Sequence, residues 1–222
     1  MRILVFGGTG TIGSAFTDLA RKSGHTVVVA SRNGSGEETV AIKDDFSGLS
    51  GLKSAFDAVV WAQGMNTSDR ASTAEDFSEV MEANINFIVK SFRVLFDSGL
   101  FSQPARLVLV SSIWQNLARE NKFSYTVSKS AVNGLVNALT ADYAKLGIVT
   151  NAVLPGVVES PMTSKNLTRE QIDNATGQTP TKSLVTTYEL AKTMLWLASS
   201  DSSGVAGQCI IVDHGWSNFR EI

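Results

Sequence analysis

Residues 3 to 13 read Ile-Leu-Val-Phe-Gly-Gly-Thr-Gly-Thr-Ile-Gly, and a helical pattern through Ala15, Phe16, Leu19 and Ala20 follows. A short apolar run stopped by glycines predicts a buried strand, and the spacing after it predicts a helix. Gly7, Gly10 and Gly13 allow a tight connecting turn and a close approach of ligand to main chain, with Thr9, Thr11 and Ile12 in the same loop. The amides and dipole opening the helix favour an anion, so a pyrophosphate is the ligand this arrangement suggests. Glycines at such spacing say little alone; the strand before and the helix after give them weight.

The rest of the chain keeps alternating. Thr26 to Ala30, Thr39 to Lys43, Asp57 to Gln63, Leu107 to Val110, Ile148 to Leu154 and Gly207 to Asp213 read as further strands. Ser47 to Phe56, Thr73 to Ser98, Ser124 to Lys145 and Tyr188 to Ser199 read as helices. The longest is capped by Thr73 and carries apolar residues from Phe77 and Val80 to Leu95 and Phe96. Only residues 31 to 38 separate the second and third strands, fewer than the dozen or so of a parallel crossover, so the helix there is missing or reduced to a turn. The prediction is one doubly wound α/β domain over residues 1 to 222, a Rossmann fold with helices on both faces. Its mostly parallel sheet would hold about seven strands in the order 3-2-1-4-5-6, the seventh added beyond. The polar residues 163 to 183 suit a mobile lid over substrate.

Composition narrows the function. The 222 residues are 43% apolar and 18% charged, with a formal net charge of −2 and no basic run. Nucleic acid and membrane are therefore not expected partners, and small molecules are. The one cysteine, Cys209, in the run Cys209-Ile210-Ile211-Val212, reads as a buried core thiol, which rules out a disulfide framework and fits a reducing, cytoplasmic setting. No apolar stretch approaches the roughly 18 residues of a membrane span, and no signal peptide is visible. With two isolated histidines, His25 and His214, no metal site is expected.

The chemistry concentrates between Val110 and Lys129. The fifth strand delivers Ser111 and Ser112 to the carboxyl edge of the sheet, where open α/β sheets bind ligands. Tyr125 and Lys129 stand four apart near the start of a helix, on one face. Free tyrosine ionises near pH 10, about three units above neutrality; a cation one turn away would lower that value and let Tyr125 exchange a proton with an alcohol or carbonyl oxygen. Ser112, thirteen residues earlier (125 − 112), could hydrogen-bond the same oxygen.

Ser-Ser, thirteen residues, Tyr-x-x-x-Lys is similar to the catalytic pattern of the short-chain dehydrogenase/reductase family, and three further motifs extend the resemblance over essentially the whole chain. Thr11 stands where the family's middle glycine would be, and Gly-x-x-Gly-x-x-Gly resembles the extended, epimerase-like and atypical branches. Asp45-Phe46 matches the family's pair beside the adenine, and the shortened crossover resembles compact members such as dihydropteridine reductase. Ala62-Gln63-Gly64 falls at the family's Asn-Ala-Gly, keeping the glycine and losing the asparagine that braces the strands. Pro155-Gly156-Val157-Val158-Glu159-Ser160 resembles the motif beside the nicotinamide, with Ser160 in place of a carboxamide-binding threonine. The resemblance makes Tyr125 the acid or base, Lys129 its partner and a ribose ligand, and Ser112 the substrate-oxygen donor. Asn84, 41 residues before Tyr125 (125 − 84), becomes a relay post, with Asn86 its nearest rival.

At the end of the second strand Ser31-Arg32-Asn33 replaces the acidic residue that would accept hydrogen bonds from the ribose of NAD(H). Arginine suits a 2′-phosphate, so NADP(H) is expected over NAD(H). The expected activity is NADP(H)-dependent interconversion of a carbonyl and an alcohol on a small molecule, by a homodimer or homotetramer paired through the two longest helices. The glycine spacing also admits a sugar-nucleotide epimerase or dehydratase, which would add a substrate domain, and a non-catalytic dinucleotide sensor is the reading outside enzymes. The substrate pocket is expected between Ile113 to Phe123 and the lid, near Trp114, Gln115, Asn116, Arg119 and Glu120.

Overall fold

The structure is a computed structural model describing residues 1–32, 34, 38–42, 46–160, 163–164 and 167–219. Strands β1 (Arg2–Phe6), β2 (Thr26–Ser31), β3 (Thr39–Ala41), β4 (Phe56–Trp61), β5 (Phe101–Val110), β6 (Ile148–Pro155) and β9 (Cys209–Val212) form one parallel sheet ordered β3-β2-β1-β4-β5-β6-β9. The strands β7 (Val158–Glu159) and β8 (Val185–Thr186) pair separately. The chain reverses its direction of winding at β1, with β2 on one side and β4 on the other. Such a switch point opens a crevice at the carboxyl ends of the strands.

Alternation along each strand divides the core in two. Leu4 and Phe6 of β1, Val59 and Trp61 of β4, and Leu107 and Leu109 of β5 face helices α4 (Phe87–Asp97) and α5 (Phe123–Tyr143). Ile3, Val5, Val60 and Val108 face the opposite layer, where Phe16 of α1 (Thr11–Lys22) packs with Leu190, Met194 and Leu197 of α7 (Thr187–Ala198). These side chains are almost wholly buried, each worth about 1.5 to 3 kcal/mol in transfer terms, so the two apolar layers hold the fold.

Several elements differ from expectation for identifiable reasons. The helix expected over 47–56 is a single turn, α2 (Ser47–Ser50), because Phe56 is recruited into β4 and wholly buried. The helix expected from Thr73 opens instead as α3 at Phe77 (Phe77–Met81). Thr73 closes a separate 3-10 turn, Ala71–Thr73, where its hydroxyl accepts the Arg70 amide. A π-helical turn, Glu82–Asn86, then interrupts the path into α4. The polar stretch expected to be a lid contains a helix, α6 (Arg169–Gly177), opened by a Thr168–Gln171 capping box. Cys209 is half-buried on the edge strand, its Sγ 3.5 Å from Asn133 Oδ1, rather than deep in the core. Between β2 and β3 the described residues form no helix. Among the described residues no helix is long and apolar enough to cross a membrane.

Candidate active site

Three elements converge at the carboxyl edge of β5. The strand ends at Val110, and Ser112 caps the short 3-10 turn Ile113–Gln115, its Oγ accepting the Trp114 amide at 3.3 Å. The first turn of α5 carries Tyr125, whose phenol feels the Ser112 side chain. One turn on, Lys129 Nζ lies 5.6 Å from the centroid of the Tyr125 ring and donates to the Val110 carbonyl at 3.0 Å. The predicted trio is thus brought together.

Burial governs its electrostatics. It pushes the Tyr125 phenol above its ordinary value, with the Ser112 side chain working the other way. Burial also lowers Lys129 from 10.5 to about 8, because a cation away from water is disfavoured. The expected lowering of the tyrosine by its lysine is therefore not met: desolvation of the phenolate raises its pKa instead.

Asn84 sits in the π-helical turn, 2% exposed. Its Oδ1 accepts the Met65 amide at 2.7 Å, and its Nδ2 donates to Met65 O and to Ser128 Oγ, both at 2.9 Å. It braces the β4 exit against α5. Asn86 points outward to Glu82, so Asn84 is the asparagine of the pair that reaches the site.

The glycine turn leaves a cradle that side chains would fill. A Cβ on Gly7 would lie 2.5 Å from Gln63 N, one on Gly13 2.1 Å from Gly7 O, and one on Gly64 3.0 Å from Asn84 Oδ1 and 3.5 Å from Lys129 Nζ. Gly10 caps α1 without a side-chain bond and the first turn of α1 holds no acidic residue, leaving its amides to an anion. Thr9 is exposed at this turn, Thr11 and Ile12 are half-buried beside it, and Ala62 donates its amide to Phe6 O at 2.9 Å. Both polar atoms of the Gln63 side chain are buried with no protein partner. These features suit a dinucleotide pyrophosphate and riboses.

Other predicted contacts are recast. Arg32 is exposed at the end of β2, while Ser31 Oγ accepts the Gly34 amide at 3.1 Å and so closes the turn. Asn33 and Asp45 lie outside the described residues. Phe46 turns its side chain into the core, 5.0 Å from the Phe87 ring, leaving only its main chain for an adenine. Pro155 ends β6, Gly156 packs too closely on Asp213 to admit a Cβ, and Val158 begins β7. Ser160 Oγ is engaged by Thr163, at 3.0 Å from its hydroxyl and 3.1 Å from its amide. Trp114 meets Trp216 edge-on at 5.7 Å, and Trp216 Nε1 donates to Gln178 after α6 at 2.9 Å, while Gln115 is buried. Trp216 and Gln178 carry no sequence signal for this role, since they reach the site through long-range packing.

A doubly wound sheet with a glycine-lined cradle and a Ser–Tyr–Lys cluster at its carboxyl edge defines a nicotinamide-dinucleotide oxidoreductase. Residues 41–217 match the family model described as Enoyl-(Acyl carrier protein) reductase. The chain belongs to the short-chain dehydrogenase/reductase family. It is 28% identical over 235 aligned residues to 3-oxoacyl-(acyl-carrier-protein) reductase of Rickettsia felis, covering 96% of this chain and 95% of that one. It is 29% identical over 169 residues to 2-(R)-hydroxypropyl-CoM dehydrogenase of Xanthobacter autotrophicus, covering 73% and 68%. The ligand-free aldohexose dehydrogenase of Thermoplasma acidophilum superposes with a TM-score of 0.90 at 20% identity, over 100% of this chain and 95% of that one, a likeness of fold.

Proposed function

We propose that this oxidoreductase interconverts a carbonyl and an alcohol on a small molecule with NADP(H), using Tyr125 as acid and base. The observation that carries the reading is Tyr125 with Lys129 Nζ 5.6 Å from its ring centroid and the Ser112 side chain acting on its phenol. The Gly7–Gly13 turn and the amides of α1 would hold the pyrophosphate, and Arg32 the 2′-phosphate. Ala62 to Gly64, Lys129 and the stretch Pro155 to Ser160 would line the rest. When bound, the nicotinamide supplies or accepts the hydride.

The chain's own groups handle the proton. Kept protonated by burial, the Tyr125 phenol is poised to donate to a carbonyl oxygen, and Ser112 supplies a second hydrogen bond as charge gathers there. Lys129 holds its positive charge against burial, and that charge would stabilise the phenolate left behind. The near full-length likeness to a 3-oxoacyl reductase supports a carbonyl substrate over an epimerase reaction. The polar stretch around α6 would act as its lid.

The test mixes purified protein with NADPH or NADH and a carbonyl panel that includes acetoacetyl-coenzyme A and simple aldoses, following loss of the reduced nicotinamide. Turnover of at least one carbonyl, faster with NADPH, is expected. A protein that binds NADPH and reduces none of the panel, nor oxidises the matching alcohols, would overturn the reading.

A further inference from the structure

Tyr125 is the third residue of α5, so its place depends on how that helix begins. The first amides of a helix have no partners within it, and Lys122, in the capping position, supplies no side-chain acceptor. A residue 55 positions earlier than Ser124 does so instead. Asp69 O accepts the Phe123 amide at 3.3 Å, Asp69 Oδ1 accepts the Ser124 amide at 3.0 Å, and Asp69 Oδ2 accepts the Ser124 hydroxyl. Asp69 is only 7% exposed. Burial works against its charge, yet the Ser124 bonds and the nearby Lys122 cation more than offset this and hold the carboxyl below its ordinary value.

The surrounding loop is clamped to the same helix start. Lys122 Nζ donates to Asn66 Oδ1 and Thr67 O at 2.9 Å and to Ser68 Oγ at 3.1 Å. Arg70 Nε donates to Asn121 Oδ1 at 2.7 Å. On the other side of Tyr125, Ser128 Oγ donates to Tyr125 O at 2.8 Å and accepts from Asn84, which also grips Met65 at the root of the loop. Tyr125 is thus bracketed by Ser124 and Ser128, and both are tied back to the segment that follows β4.

We propose that Asp69 is a positioning residue which, through Ser124, sets the Tyr125 hydroxyl against Ser112. This rests on reading Tyr125 as the proton donor. A carboxylate suits the task because one oxygen takes an N–H and the other an O–H, in charge-assisted bonds at a helix start whose dipole favours an anion. An amide at this position keeps one acceptor and loses the charge; alanine keeps neither.

The experiment compares Asp69→Ala, Asp69→Asn, Ser124→Ala and Tyr125→Phe, normalised to NADPH-binding sites. With the carbonyl found in the panel, Asp69→Ala should lower kcat on the order of tenfold to hundredfold, the usual effect of a displaced catalytic group, with KM and NADPH affinity unchanged. Asp69→Asn should recover part of the loss, and the double variant with Ser124→Ala should lose less than the two single effects multiplied. A second readout needs no substrate. With carbon-13 at the hydroxyl-bearing ring carbon, the protein's 3 tyrosines give separate resonances, and that of Tyr125 is the one missing in Tyr125→Phe. Asp69→Ala should shift and broaden that resonance and leave those of Tyr143 and Tyr188 in place. An unmoved Tyr125 resonance, or unchanged kcat in Asp69→Ala beside an inactive Tyr125→Phe, overturns the positioning role alone. Full activity in Tyr125→Phe overturns the reading beneath it.

Discussion

Lys129 Nζ donates to the carbonyl oxygen of Val110 at 3.0 Å, tying the ammonium on α5 to the strand that leads into Ser112. That ammonium is buried, and burial lowers its pKa from 10.5 to about 8. Between those values the unfolded chain binds more protons than the folded one, so stability should rise as pH climbs from about 8 towards 10.5. Below about 8 the folded protein bears the whole penalty, at most about 3.5 kcal/mol at about 1.4 kcal/mol per unit. Lys129→Met should therefore be more stable than the wild type at neutral pH by about 1 to 3 kcal/mol while losing turnover, as urea unfolding would reveal. Equal stability at neutral pH would mean that the cation carries no such penalty.

Tyr125→Phe removes one hydroxyl and keeps the ring. Folding and NADPH binding should persist while turnover drops by about 10² to 10⁴, the usual worth of a positioned proton donor. Burial keeps the phenol protonated through neutrality, so reductive turnover should stay level there and fall as pH rises through about 8, where Lys129 gives up its proton. A pH–rate profile that instead rises through that range would contradict this assignment.

Arg32 is exposed at the end of β2, and the proposed function assigns it the 2′-phosphate. Calorimetric titration should give tighter binding of NADPH than NADH, and Arg32→Ala should remove most of the difference. Indifference of the wild type to the phosphate would refute NADP(H) preference.

Helix α4 leaves Val89 47% and Phe96 37% exposed, and Phe96 packs on Tyr143 of α5 at 5.0 Å between ring centroids. Apolar side chains of this size on two adjacent helices fit a two-fold interface between copies. Light scattering at micromolar concentration should give a multiple of the 23.7 kDa chain mass, and Val89→Asp should shift it towards the monomer. A wild-type monomer under those conditions would rule out pairing through this face.

The parts read correctly from sequence are those that neighbours in the chain decide. Strand, turn and helix at Ile3 to Lys22 follow from apolar spacing and glycine freedom, and the parallel sheet follows from the alternation of strands and helices. Tyr125 and Lys129 share a face because a helix turns every 3.6 residues, whatever surrounds it. Tertiary structure alone decided what those groups experience. The sign of the Tyr125 shift depends on total burial, a sum over residues from several elements that no local pattern contains. The cap of α5 comes from Asp69, since an unpaired amide takes whichever acceptor folding brings near it. Likewise Phe46 joined the core and Trp216 met Trp114 because packing pairs surfaces far apart in the chain, and a one-dimensional pattern records only periodicity.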